Sequence, residues 1–84
     1  MSLDASIWAW RIQGVSAPQK LVLLSLADRA NEKHICYPSM ARIAADCCAN
    51  ERTIRRAIVA LVDRGLIEAK KSSGMVTFYH LIGV

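Results

Sequence analysis

Apolar residues recur at helical spacing in the segment from Asn50 to Gly65. Five of them share one stripe: Ile54, Ala57, Ile58, Leu61 and Val62. Their spacing of i, i+3, i+4, i+7 and i+8 predicts an amphipathic helix. Asn50 can cap its first turn, and Gly65 can end it in a left-handed conformation. The other side of this helix carries Val59 and a cluster of three arginines, Arg52, Arg55 and Arg56. The hydrophobic core does not require this arginine cluster, which suggests a role in binding. The alternative is an ordinary solvated helix face, where arginine is also common.

Residues 1–15 are predicted to form an N-terminal helical segment. The segment holds the large apolar side chains of Ile7, Trp8, Trp10 and Ile12. Because tryptophan is costly to expose to water, we expect these side chains to pack either on the same domain or on a second copy of the chain.

A three-helix core is predicted over residues 16–64. Ser16 with Gln19 fits a capping box, and Pro18 fits the first helical turn. The apolar run that follows predicts a helix to about residue 31, buried on more than one side. Ser39 caps a shorter helix, and only three or four residues separate that helix from the arginine-bearing one. Two short helices so joined, the second amphipathic and basic, form the helix-turn-helix pattern.

Past the arginine-bearing helix the apolar period changes from 3.6 residues to 2. Residues 66–82 are predicted to form a hairpin, with a tight loop over residues 72–74 that follows Lys70 and Lys71. Residues 35–37 could add a one-rung strand. The predicted fold class is mainly α with a small β-hairpin, in one domain spanning residues 1–84.

Composition and charge narrow the class of partner. The 84 residues are 54% hydrophobic, carry a net charge of +4 and have a pI near 9.3. This modest basic bias favours nucleic acid or another anionic surface. No apolar run approaches a membrane span, so no membrane partner is expected. Three cysteines, two of them adjacent, argue against a disulfide framework and for reduced thiols in a cytoplasmic protein.

Three stretches of the chain resemble a winged helix-turn-helix DNA-binding domain. They are Lys20–Asp28 with Tyr37–Ser39, Ile43–Arg56, and Leu61–Ile67. The first two are similar to domains of phage and plasmid replication or maintenance proteins, and the third to the exit into the wing of bacterial winged-helix regulators. The resemblance implies a three-helix core with a wing and an N-terminal helix, and it implies DNA binding.

One position departs from the family pattern. Cys48 stands where the family usually has glycine in the turn. Cysteine in a left-handed conformation costs about 1 kcal/mol. Either the turn has another shape, or the strain is tolerated. Asn50 stands where serine is usual, but both residues are good caps.

The candidate DNA-contacting residues lie on the last two helices and on the wing. They are Ser39, Arg42, Asn50, Glu51, Arg52, Thr53, Arg55, Arg56, Lys70, Lys71, Ser72 and Ser73. We expect Arg52 and Arg56 to read bases, because they share the face opposite the apolar stripe and arginine can bind guanine O6 and N7 together. Arg55, nearer the edge, is expected to hold a phosphate.

The other candidates have weaker assignments. Thr53 and Ser39 offer hydroxyls and backbone amides to phosphates, and Arg42 offers a backbone contact. Glu51 either accepts from cytosine N4 or is a residue favoured in the first turn by the helix dipole. The lysines and serines of the wing either reach a neighbouring groove or form a solvated hairpin tip.

The sequence contains no motif for metal binding or for catalysis. The histidines and cysteines match no structural zinc spacing. No glycine-rich phosphate loop and no nucleophile–base motif is present. We therefore expect no enzyme activity, no metal, no cofactor and no small-molecule substrate.

The leading hypothesis is a sequence-specific double-stranded DNA-binding protein with the helix over residues 50–64 in the major groove. It would serve plasmid or phage replication, maintenance or transcriptional regulation, as a homodimer or as several copies on repeated sites. The alternative is a protein-interaction winged helix whose arginine face meets an acidic partner in a replication or partition complex. A third option is DNA coating without sequence preference.

Overall fold

The computed structural model describes residues 3–71, 74 and 76–84. The elements in that part of the chain are α1 (Leu3–Arg11), α2 (Ala17–Arg29), β1 (Ile35–Cys36), α3 (Met40–Cys47), α4 (Glu51–Asp63), β2 (Ile67–Lys71) and β3 (Thr77–Leu81). The strands form an antiparallel sheet in the order β1-β3-β2. This is the predicted winged helix-turn-helix, with β1 added to the hairpin as a third strand. No helix in these residues is long and apolar enough to cross a membrane.

The predicted helix caps are confirmed. The Ser16 hydroxyl accepts from the Gln19 amide at 3.3 Å, and the Gln19 side chain accepts in return from the Ser16 amide at 3.1 Å. Ser39 and Asn50 cap α3 and α4 in the same way, with side-chain oxygens that accept at 3.1 and 2.8 Å. Each cap satisfies a first-turn amide that has no partner within its own helix. Local sequence therefore fixes where these helices begin.

The core is built around α2, against which α1, α3 and α4 all pack. Val22, Leu23, Leu26 and Ala27 of this helix are fully buried, as its nearly continuous apolar sequence predicts. The largest buried side chains of the other elements are those of Ile43, Ile54, Leu61, Ile67 and Leu81. The helix ends at Arg29, slightly earlier than predicted.

The turn after α2 is shaped by Asn31. Its side-chain oxygen accepts from the amides of Lys33 and Ile35 at 2.9 and 3.2 Å. An asparagine side chain that bonds the backbone in this way favours a turn over a further helical turn. It leads the chain into β1, whose residues pair with Tyr79 and His80 of β3.

The α3–α4 turn is left-handed at Cys48, where φ is 53° and ψ is 42°. The Ala49 amide donates to the Ala44 carbonyl at 3.0 Å across this residue. The resemblance placed a glycine-type conformation here, and the structure shows that cysteine adopts it. Of the two alternatives, the strain is therefore tolerated. Gly65 ends α4 with a φ of 75°, as predicted.

A polar cluster joins α3 to α2. Asp46 accepts from the Ser25 hydroxyl at 2.9 Å and from the Arg29 guanidinium at 2.6 and 3.1 Å. The hydrogen bond from Arg29 is the main reason why the pKa of Asp46 lies below its ordinary value. The cluster fixes the first helix of the helix-turn-helix pair relative to the centre of the core.

The two tryptophans of α1 have different environments. Trp8 is half-buried and packs against the core, whereas Trp10 remains 65% exposed. Residues two apart on a helix point about 200° apart, so both cannot face the same side. Of the two expected alternatives, Trp8 therefore packs on its own domain, whereas Trp10 does not.

Candidate nucleic-acid interface

Helix α4 has one buried face and one exposed face. Ile54, Ala57, Ile58 and Leu61 are buried in the core. Arg52, Arg55 and Arg56 are all exposed, on the side where the sequence pattern placed them. A helix of this length extends for about 20 Å, which suits the major groove of B-DNA. The exposed side will be called the arginine face.

Arg52 and Arg56 have free guanidinium groups within the part of the chain that the structure describes, where neither forms an ion pair or a side-chain hydrogen bond. Arg52 lies opposite the buried stripe. Arg56 lies one turn later and lines a crevice that Ser16 and Gln19 of the α2 start also border. All five donors of each guanidinium are thus available to an anion or a base edge.

Arg55 lies beside Glu51, with 3.5 Å between its Nη2 and the Oε1 of the carboxylate. Both side chains are largely exposed, and an exposed pair one turn apart contributes at most about 0.5 kcal/mol. Such a pair opens readily when a phosphate approaches. The sequence analysis did not anticipate this pairing of Glu51.

The capping residues keep some hydrogen-bonding capacity. The Oδ1 atom of Asn50 is occupied by the Thr53 amide, but its NH₂ group remains a donor. Ser39 likewise accepts from the Arg42 amide and keeps its own hydroxyl proton. Thr53 is half-buried and lines the same crevice as Arg56. These groups lie at the first turns of α3 and α4, where the helix dipole also favours an anion.

Ser39 connects the helices to the wing. It lines a cleft between the start of α3 and the sheet, together with Val76, Thr77 and Tyr79. Thr77 is the cross-strand partner of Lys71. The structure thus brings the start of α3 next to the strand ends that carry the wing lysines. Arg42, one turn into α3, is exposed and borders a broader cleft with Arg29.

The two wing lysines lie on opposite faces of β2, because side chains alternate along a strand. Lys70 Nζ lies 3.3 Å from the carboxylate of Glu68. Lys71 is on the same face as Ile67, which packs against the core, and it makes no ion pair with a described residue. Ser72 and Ser73, also predicted to contact DNA, lie outside the described residues.

A family model described as a helix-turn-helix domain matches residues 15–67. This chain belongs to the helix-turn-helix domain family. The match runs from the residues before α2 through α4 to the start of β2, so it includes all three capped helices and the arginine face. Helix-turn-helix domains bind DNA through the second helix of the pair, and membership indicates DNA binding in general. No curated protein and no solved structure matches the chain significantly.

One exposed residue on the arginine face of this helix-turn-helix domain was placed there by the sequence pattern but was assigned no contact. Val59 is 68% exposed and lies two helical turns after Arg52, on the same side. The signal was its spacing, because an exposed valine at i+7 from Arg52 interrupts an otherwise polar face. An apolar side chain here offers a contact that arginine does not, namely with the methyl group of thymine.

Two of the three thiols of the domain are buried. Cys36 and Cys47 are buried and free, and burial raises the pKa of the Cys36 thiol to about 11 and that of the Cys47 thiol above its ordinary value. Cys48 is exposed in the turn. Among the residues described, no group of three or more histidine, cysteine or acidic side chains could hold a metal ion.

Proposed function

We propose that this helix-turn-helix domain is a sequence-specific double-stranded DNA-binding protein that inserts α4 into the major groove. The observation that carries the proposal is the arginine face: the guanidinium groups of Arg52 and Arg56 are exposed directly opposite the buried stripe and have no ion-pair partner among the described residues. The hydrophobic core packs without these two arginines, so folding alone does not explain why they lie together on one exposed face.

The base contacts follow from the chemistry of the arginine face. Arg52 and Arg56 each bind guanine O6 and N7 with two donors, a contact that discriminates against other bases by about 1–3 kcal/mol. Val59 contacts a thymine methyl group further along the groove. The preferred half-site is therefore rich in guanine, with a thymine near its end. Glu51 is held by Arg55 and reads no base until that pair opens.

The backbone contacts surround this helix. Arg55 and Arg42 supply charge, and the hydroxyl of Ser39 and the side chains of Asn50 and Thr53 donate hydrogen bonds to phosphates. Lys71 extends the contact to the flank through the wing, whereas Lys70 is balanced by Glu68. We propose the same wing role for Ser72 and Ser73. Phosphate contacts of this kind make the affinity depend steeply on salt.

The biological setting follows from the resemblance to phage, plasmid and bacterial domains. We propose a role in plasmid or phage replication, in maintenance or in transcriptional regulation, at the nucleoid or on a plasmid in the bacterial cytoplasm. One recognition helix of this length reads only one half-site. Useful specificity therefore requires two or more copies on repeated or palindromic sites.

The test is a binding selection on a random duplex library at about 150 mM salt, read again with Arg52→Ala, Arg56→Ala and Val59→Ala. We expect an enriched motif in which each variant relaxes one position. The matched control is Arg55→Ala, which should weaken all duplexes equally. Binding without enrichment would replace the proposal by DNA coating. Absence of binding would favour the acidic protein partner.

The wing is tested by two neighbouring lysines. Lys71→Ala should weaken binding to the selected site by about 3-fold and reduce the salt slope by about one ion. Lys70→Ala is the control and should change affinity less, because its charge is already balanced by Glu68. If both variants lost the same affinity for DNA, the proposal that the wing contacts DNA through the Lys71 face would be wrong.

A further inference from the structure

Helix α1 is apolar on two opposite sides. Ala5 and Ala9 are fully buried on the side that packs against α2. On the other side Leu3, Ile7 and Trp10 are 75%, 41% and 65% exposed. These three residues stand at i, i+4 and i+7 and so form one stripe along the helix, which will be called the outer α1 stripe. Exposing a leucine, an isoleucine and a tryptophan together is unfavourable for a protein surface.

The outer α1 stripe is held rigidly. The Nζ atom of Lys20 in α2 donates to the carbonyl oxygens of Ala9 and Trp10 at 3.0 and 2.8 Å, and also to that of Ile12. Ala9 and Trp10 lie in the last turn of α1, where carbonyls lack partners within the helix, and a cation there complements the helix dipole. The stripe is therefore presented by an anchored helix and not by a fraying terminus.

Two opposite charges flank the outer α1 stripe. Asp4 lies in the first turn of α1 and Arg11 in the last turn. Both are exposed on the same flank, where they border a groove with Ile7, Trp8 and Ile12. Neither forms an ion pair with any residue that the structure describes. The flank thus has a negative end and a positive end, each without a partner.

We propose that α1 pairs with α1 of a second copy of the chain, antiparallel and about a two-fold axis near Ile7. A two-fold interface must be complementary to itself. In the antiparallel arrangement Asp4 of each copy meets Arg11 of the other, and Leu3 of each copy meets Trp10 of the other. In a parallel arrangement the two flanks would lie on opposite sides of the interface, and these charges would not meet. The ordering of charges along α1 therefore selects a second copy as the occupant.

The size of the helix sets the strength of this pairing. Nine residues extend for about 13 Å, so the outer α1 stripe and the adjoining groove form an interface smaller than the roughly 1,200 Å² of stable complexes. We expect a weak, reversible dimer in solution. On adjacent DNA half-sites the local concentration of the second copy rises, which turns weak pairing into cooperative binding. That cooperativity rests on the proposed function, whereas the pairing itself does not.

The test is sedimentation velocity of the free protein from about 10 µM to about 1 mM at low salt. Wild type should shift from monomer to dimer across this range. Asp4→Arg and Arg11→Asp should each weaken the dimer by about 10-fold, because two attractive pairs become repulsive. An equal mixture of these two variants should dimerise like wild type, because one copy then carries only positive and the other only negative flank charges. The double variant Asp4→Arg/Arg11→Asp should also dimerise.

The mixture separates charge pairing from helix stability. Each single variant opposes the α1 dipole and weakens the helix on its own, but mixing cannot repair a weakened helix. Recovery in the mixture with loss in Trp10→Ala would therefore support the proposal. A wild type that stays monomeric to about 1 mM, or a mixture no better than its components, would overturn it. Loss of pairing with intact single-half-site DNA binding would leave the proposed function untouched.

Discussion

Helices α1 and α4 both pack against α2, and they differ in what they leave exposed. On α4 the exposed side carries arginines, and on α1 it carries leucine, isoleucine and tryptophan. The charged face is stable in water and needs no partner to remain folded. Exposing the apolar face to water is unfavourable, by about 25 cal/mol per Å² of apolar surface. The two faces therefore suit partners of different chemistry, a polyanion and a second apolar helix.

This difference shows how a small domain separates recognition from assembly. Both helices depend on the same central helix for position, but the residues that face outward are exposed and are not part of the core packed against it. A change to either outer face should therefore leave the fold and the other face intact. A change to a residue that anchors these helices should have different consequences. Removing Lys20, which anchors α1, should affect one face, whereas removing the Asp46 cluster between α3 and α2 should affect the whole domain.

Reversing the charge of the arginine face should have the largest effect. Arg52→Glu should lower affinity for the selected duplex by about 10- to 100-fold, since it removes a bidentate contact and repels phosphates. Self-association should not change. Fluorescence anisotropy and sedimentation measure the two outcomes. Lys33→Glu makes the same charge change in the turn before β1 and should lower affinity much less. If Lys33→Glu lowered DNA affinity as much as Arg52→Glu, the effect would come from net charge and not from the position of Arg52.

Removing the cluster between α3 and α2 should affect the whole domain. Asp46→Ala should lower the free energy of unfolding by about 1–2 kcal/mol, because Ser25 and Arg29 lose a charged acceptor. Chemical denaturation measures this change. The control Asp63→Ala removes an exposed acid from the end of α4 and should be neutral or slightly stabilising. A neutral Asp46→Ala would show that the cluster adds nothing to stability.

The same cluster predicts a dependence on pH. The pKa of Asp46 is lower in the folded state than in the unfolded state, mainly because of its hydrogen bond from Arg29. Its contribution is therefore complete above the unfolded pKa of about 3.9 and is lost as pH falls through the lower folded value. We expect the free energy of unfolding of the wild type to fall between about pH 5 and pH 2 partly because Asp46 becomes protonated. In Asp46→Asn that contribution should be absent, so the free energy should depend less on pH, as unfolding curves over this range would show.

Removing the lysine beneath α1 should affect one face only. Lys20→Met should destabilise the domain by about 1 kcal/mol, because the last carbonyls of α1 lose their donor. Amide exchange should accelerate in residues 3–11 and not in α4, and the dimer should weaken while half-site DNA affinity is kept. Lys33→Met is the matched control. Accelerated exchange in α4 would show that the two faces are coupled through α2.

The smallest expected effect is at the turn between α3 and α4. Cys48→Gly should raise the free energy of unfolding by about 0.5–1 kcal/mol, because glycine adopts the left-handed conformation without strain. Cys48→Ala keeps a Cβ atom at the same φ and should leave stability nearly unchanged. Denaturation under reducing conditions compares them. Equal stabilities of the glycine and alanine variants would exclude backbone strain at this position.

Local signals in the sequence predicted the starts of α2, α3 and α4 and the helix-turn-helix pair correctly. The caps at Ser16, Ser39 and Asn50 depend on residues within three positions, and so does the apolar stripe of α4. The left-handed turn at Cys48 was anticipated only through the resemblance, since nothing in the residue type favours it. The DNA contacts remain proposals, because exposure and spacing place the arginines but do not identify what they bind.

Contacts between distant residues were beyond sequence reasoning. The Asp46 cluster joins residues about twenty positions apart, and Lys20 reaches back to carbonyls of α1. Arg64 at the end of α4 donates to the Gly14 carbonyl at 2.6 Å and so ties that end to the loop after α1. Charged residues of this kind look like ordinary surface in a sequence, because their partners are set by how the helices cross.

The sequence by itself determined the order of the elements, four of the five residues in the buried stripe of α4 and the composition of the arginine face, because these follow from periodicity and short-range hydrogen bonds. The tertiary structure decided which face of α1 packs and which stays exposed. Both faces of α1 are apolar, so the pattern alone could not choose between them. Close packing against α2 made the choice, because the small side chains of Ala5 and Ala9 allow a near approach that Leu3, Ile7 and Trp10 do not.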